Sequence, residues 1–226
     1  MNGLSEPTTD HRLERILGLT ALAAGAVDII SFARLGGVFA SAMTGNLAFM
    51  GLYLARFSFI AALASLIALL GFIGGGVAGT LLGRKRAQFT ALRLLLGAET
   101  CLLAATVWMW FTTAHDHASI SRDTLILLLS LAMGVQSIIG KRVNLSNIPT
   151  VVFTSTLTNI VIGLTDMLAS KRFAVPPDTK RQSVSFLAYF AGALVAGLCV
   201  FVNIQAIILI PVLATGAGLL VIIRNV

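Results

Sequence analysis

Long apolar runs separated by short polar interruptions fill most of the chain, at residues 16–32, 35–54, 58–83, 92–111, 125–140, 148–168, 184–202 and 206–223. Several reach the roughly 20 residues that carry a helix across a hydrocarbon core. Two of the eight differ from the rest. The second contains Gly36-Gly37-Val38-Phe39-Ala40-Ser41-Ala42-Met43-Thr44-Gly45-Asn46, and the sixth contains Val151-Val152-Phe153-Thr154-Ser155-Thr156-Leu157-Thr158-Asn159. Hydroxyls, amides and glycines inside an apolar run predict a broken or re-entrant helix, because backbone groups freed at membrane depth must find partners there.

The two interrupted runs belong to a longer repetition. Leu22-Ala23-Ala24-Gly25-Ala26-Val27-Asp28-Ile29-Ile30 parallels Leu131-Ala132-Met133-Gly134-Val135-Gln136-Ser137-Ile138-Ile139, and Gly74-Gly75-Gly76-Val77-Ala78-Gly79 parallels Gly192-Ala193-Leu194-Val195-Ala196-Gly197. Each half reads as span, motif segment, span, span. Three crossings per half would leave the second copy inverted relative to the first, and four would leave it parallel.

Charge decides between these topologies. If all eight runs cross, Arg84-Lys85-Arg86 and Lys141-Arg142 fall on the opposite side from Lys171, Arg172, Lys180 and Arg181, against the rule that basic residues stay in the cytoplasm. If the motif runs return to the side they entered, Arg12, Arg15, Arg84, Lys85, Arg86, Arg93, Lys141, Arg142, Lys171, Arg172, Lys180, Arg181 and Arg224 share the cytoplasmic side. Only Arg34, Arg56 and Arg122 then lie outside. The expectation is an all-α polytopic membrane protein with six transmembrane helices, two re-entrant or broken motif helices and two inverted repeats. Residues 1–14 form a cytoplasmic tail, and residues 15–226 form one membrane domain with repeats at about 15–112 and 123–226.

Composition agrees: 57% of the 226 residues are hydrophobic and 11% charged, which excludes an ordinary soluble domain. The net charge of +7 sits at the ends of apolar runs rather than along one face, so it marks topology and not nucleic-acid binding. Residues 1–14 lack the basic segment followed at once by an apolar core that marks a secretory signal. Cys101 and Cys199 lie inside apolar runs and read as packing residues. His115-Asp116-His117, expected in an outer loop, offers too few ligands for a metal, and no cofactor is implied.

The candidate chemistry is intramembrane. Asp28 and Glu99 are carboxyls within spans, where a charge costs roughly 2.5–3.5 kcal/mol on insertion scales, so each needs a partner or a cavity. Both are candidates for coupling. Asp28 has a second reading, as an acceptor for the backbone freed in the motif segment. Arg93 is off the face of Glu99 by helical spacing and is not its expected partner. The candidate solute-binding set is Asp28, Thr44, Gly45, Asn46, Gln136, Thr154, Ser155, Thr156 and Asn159, with the two breaks expected to face each other near mid-membrane. Gly71, Gly75 and Gly79 share one helix face, where another backbone can approach closely.

Gly25-Ala26-Val27-Asp28, Met43-Thr44-Gly45-Asn46, Met133-Gly134-Val135-Gln136 and Thr154-Ser155-Thr156 together resemble the YoaK family of bacterial membrane proteins, a domain of unknown function. The resemblance spans the chain from about Ile16, and Ser155 stands where that pattern favours glycine. It implies a bacterial inner-membrane protein, and the charge sorting above is what puts both termini in the cytoplasm. The leading expectation is a small secondary transporter or channel for a solute or ion; the alternative is a non-transporting protein of assembly or regulation. An enzyme is not expected, since no helix carries a nucleophile constellation or a metal-ligand set. The partners expected are the bilayer and a small solute or ion, not nucleic acid, with a homo-oligomer as an open alternative.

Overall fold

The computed structural model describes residues 7–113, 119–143, 153–170 and 175–224. These residues form helices and turns, with no strand among them. The helices are α1 (Pro7–Arg34), α2 (Met43–Ala55), α3 (Phe59–Gly83), α4 (Gln88–Thr113), α5 (Ser119–Val143), α6 (Phe153–Ala169), α7 (Pro177–Phe201) and α8 (Leu209–Ile223), the last entered through a 3-10 turn at Gln205–Ile208. All but α2 and α6 are long and apolar enough to cross a bilayer, which makes six candidate spans. At about 1.5 Å per residue, the 13 residues of α2 reach only about 20 Å, short of the roughly 30 Å hydrocarbon core. His115-Asp116-His117, Lys171 and Arg172 lie outside the described residues.

Two boundaries differ from the sequence reading. The first helix begins at Pro7, inside the stretch assigned to a polar tail. The first motif run is broken earlier than expected: residues 35–42 are non-helical, and Thr44-Gly45-Asn46 lie in the first turn of α2. Gly36 and Gly37 cause the shift. Their φ values of 98° and 77° lie in the left-handed region that glycine enters at no steric cost, so the chain turns there and comes back against α1.

Packing fixes the relative directions of the long helices. Glu14 meets Arg181 at 2.6 Å near their starts, and Arg34 meets Asn203 at 2.7 Å near their ends, so α1 and α7 run the same way. On α3 and α5, Gly71 faces Leu127, Gly75 faces Leu131 and Gly79 faces Ile138, and these two helices also run together. Gln88 at the start of α4 donates to the carbonyl of Arg142 at the end of α5 at 2.9 Å, which makes that pair antiparallel. Leu13, Ile16 and Leu17 share an apolar cluster with Val135, Ile139 and Val143, whereas Ala24 to Ile30 share another with Leu125 to Met133. Therefore α5 runs opposite to α1.

These directions place the start of α1, the ends of α3, α5 and α8, and the starts of α4 and α7 at one end of the bundle. Between the end of α1 and the start of α3, α2 must return to the end it left. The same holds for α6, between the end of α5 and the start of α7. Arg12, Arg15, Arg84, Lys85, Arg86, Lys141, Arg142, Lys180, Arg181 and Arg224 gather at the first end; Arg34, Arg56 and Arg122 lie at the other.

The two halves interlock through glycines. A Cβ on Gly25 would collide with the Tyr189 carbonyl and one on Gly192 with Leu22; likewise Gly75 abuts Leu131 and Gly134 abuts Phe72. Such backbone contact lets van der Waals packing and weak Cα–H···O bonds hold apolar helices that no hydrophobic force drives together. If Leu131 is matched with Leu22, as in the sequence comparison, these contacts pair Gly192 with Gly75 rather than with Gly74.

Candidate functional site

Asp28 lies on α1 one turn and a half before its end and is 1% exposed. Its Oδ1 accepts the backbone N–H of Ala40 at 3.0 Å and of Ser41 at 2.8 Å. Its Oδ2 accepts the hydroxyls of Ser41 at 2.6 Å and of Tyr189 at 2.8 Å. The side chain thus supplies partners to the backbone of the re-entrant loop and ties that loop to α7. Of its two sequence readings, the acceptor role is the one this geometry carries.

Asn46 does the same from the other side of the break. Its Oδ1 accepts the N–H of Phe39 at 2.9 Å, and its Nδ2 donates to the carbonyl of Phe39 at 2.6 Å. One amide thereby replaces two backbone partners that a helix would have provided. Phe39 stacks on Phe32 at 4.9 Å and lies 6.2 Å from Phe49, while Val38 and Ala40 are fully buried. Gly45 closes the arrangement, since a Cβ there would stand 3.2 Å from the Phe39 ring. Residues 35–42 therefore form a strap, pinned by one carboxylate and one amide. Thr44, in the first turn of α2, is exposed.

The second motif is placed differently. Gln136 is fully buried on α5 and donates to the carbonyl of Thr20 on α1 at 2.9 Å. On α6, Thr156 is buried, whereas Thr154, Ser155 and Asn159 are exposed. Helix α2 packs on α3 and α6 packs on α7; the two motif helices are not packing partners of each other among the described residues. The structure thus joins Asp28 and Asn46 to the strap and Gln136 to α1. It does not bring the Thr44 and Thr154 groups together as two walls of one site.

A polar level does exist at the centre, and it is built from other helices. The two apolar clusters divide the bundle into halves: α4 contributes Leu92, Leu95 and Leu96 to one and Leu103 to the other, and Glu99 falls between. On α1 the gap between Leu17 and Ala24 holds Thr20; on α8 the gap between Val212 and Leu219 holds Thr215. All three are fully buried. Thr20 and Thr215 donate to the carbonyls of Ile16 and Pro211 in their own helices at 2.9 and 3.0 Å, which leaves oxygen lone pairs for another donor. Thr100, next to Glu99, lies 3.3 Å from the Thr215 hydroxyl.

Glu99 stands out in this layer. Both of its carboxyl oxygens are buried without a hydrogen-bond partner among the described residues, and the Arg93 guanidinium does not reach them. Sequence reasoning found Glu99 and Gln136 but missed Thr20 and Thr215. The available signal was a single hydroxyl near the middle of each otherwise apolar helix, but single hydroxyls of that kind also occur where they only bond their own backbone. Among the described residues no three His, Cys, Asp or Glu side chains converge as a metal site would require.

Comparison with known proteins bears on this site only through the family. A family model described as "Protein of unknown function (DUF1275)" matches residues 16–222. The chain is 30% identical over 185 residues to the UPF0700 transmembrane protein YoaK of Bacillus subtilis (strain 168), covering 81% of this chain and 82% of that protein. No solved structure matches.

Proposed function

The chain belongs to the DUF1275 family, and from that premise we propose that this integral membrane protein is a small secondary transporter of a polar solute or ion, with Glu99 as its coupling group. The observation that carries the proposal is the Glu99 carboxyl, fully buried between two apolar clusters with neither oxygen bonded among the described residues. A carboxylate isolated in such surroundings is expensive, so the group calls for a proton, a cation or a solute donor as its partner. Supplying that partner from one side and releasing it to the other is what coupled transport requires. Apolar clusters on both sides of the layer favour an occluded carrier over an open channel.

The proposed frame is a pair of inverted repeats related by a two-fold axis in the membrane plane. Support comes from the exchange of partners: α1 packs on α7 as α5 packs on α3, and α4 packs on α5 as α8 packs on α1. The basic end is taken as cytoplasmic by the positive-inside rule, which puts both chain ends in the cytoplasm of a bacterial cell. Asp28 and Asn46 act as fasteners of the outer strap rather than as solute ligands. The reading assigns the protein no catalysis and no cofactor.

Currents from proteoliposomes on a solid-supported membrane test this. Under an imposed pH gradient, a panel of inorganic cations, organic anions and neutral polar solutes is applied in turn. At least one should evoke a current that depends on the gradient, and Glu99→Gln should abolish that dependence in a folded protein. No current from the whole panel, or a coupled current unchanged in Glu99→Gln, would contradict the proposal.

A further inference from the structure

We infer that the cleft between the first turns of α1 and the last turns of α8 binds one anionic phospholipid of the leaflet at that end. The cleft has a volume of about 570 Å³; Arg12, Arg15 and Arg224 line it together with Ala217, Leu220 and Val221. Guanidinium groups pair with phosphate through two parallel hydrogen bonds, and basic pockets between membrane helices suit anionic headgroups. The cations here surround apolar walls, a mixture that suits an amphiphile better than a free ion.

A second cavity tells where the acyl chains go. It has a volume of about 580 Å³, shares Arg15 and Val221 with the first, and is lined by Gly18, Leu19, Leu22, Val184 and Ala188. This groove runs along α1 between α7 and α8, toward the middle of the bundle. It exists because the two halves differ: α3 packs on α4, whereas their counterparts α7 and α8 hardly touch. Gly18 opens onto free space, since a Cβ there would meet nothing within 4 Å. The acid at the mouth, Glu14, is bonded to Arg181 at 2.6 Å and does not cancel the charge of Arg15. A headgroup on the arginines with a chain along the groove fits both cavities at once, and this holds whether or not the protein transports anything.

The test uses the purified full-length protein, delipidated in detergent and followed by native mass spectrometry. Phosphatidylglycerol and phosphatidylcholine of identical chains are titrated in, with inorganic phosphate as competitor. The protein should retain one phosphatidylglycerol about tenfold more tightly than phosphatidylcholine. Arg15→Gln with Arg224→Gln should erase that preference, and Gly18→Phe, or the smaller Gly18→Leu, should weaken phosphatidylglycerol while leaving the arginines in place. Circular dichroism and gel filtration identify variants that remain folded. Equal affinity for the two lipids would overturn the inference. So would phosphatidylglycerol binding that survives Gly18→Phe and is displaced by phosphate, which would mark an anion site only. Dimers in the delipidated wild type that dissociate in the charge variant would instead assign the cleft to a second copy of the chain.

Discussion

Two buried carboxyls have opposite situations. Asp28 has four donors around it, and Glu99 has none among the described residues. From the sequence both were legible as acids within apolar runs, because a charge there stands out against its neighbours. What each one touches was not legible, since the partners of Asp28 lie 12, 13 and 161 positions away and depend on how the chain turns at Gly36 and Gly37. The contrast makes separable predictions. Asp28→Asn keeps the shape but replaces two acceptor oxygens by one, leaving donors of the strap or of Tyr189 unsatisfied. Stability should fall by about 1–3 kcal/mol, read as a lower unfolding temperature in detergent, with any pH-gradient dependence of transport retained. An unchanged unfolding temperature together with lost coupling would return the coupling role to Asp28.

Among the helices, the six long ones were legible because their apolar runs are long and bounded by charge. The position of the first break was not. Thr44-Gly45-Asn46 reads as an interruption, yet hydroxyl, glycine and amide residues also serve well at the first turn of a helix, and that is where the structure puts them. The actual break depends on backbone torsions at Gly36 and Gly37, which a sequence shows only as two glycines. The return of α2 to its starting end follows from the directions of its neighbours, and single cysteines can check it. In a background lacking Cys101 and Cys199, His11→Cys and Arg86→Cys should label with an impermeant thiol reagent from the same side, and Arg56→Cys from the opposite one. Labelling of His11→Cys and Arg86→Cys from opposite sides would mean that α2 crosses the membrane.

For the molecule as a whole, the glycines at which long helices approach closely were legible as small residues in apolar runs, at Gly25, at Gly134 and in the glycine-rich segments of α3 and α7. Which glycine makes each contact was not, because neighbouring glycines in Gly74-Gly75-Gly76 look alike until one of them is seen against Leu131. The central polar layer escaped for a related reason: Thr20, Glu99 and Thr215 come from three helices far apart in sequence and are set between the same two apolar clusters only by packing. In the transport proposed above, the carboxyl sealed in that layer between two apolar clusters is opened to one side and then the other. Dicyclohexylcarbodiimide, an apolar reagent that modifies protonated carboxyls, tests the claim most directly when the modified residues are identified by peptide mass spectrometry. Modification is expected at Glu99, slowed by any transported solute, with Asp28 spared by its four hydrogen bonds. A protein in which Glu99 stays unmodified while remaining folded, or in which Asp28 reacts in its place, would contradict it.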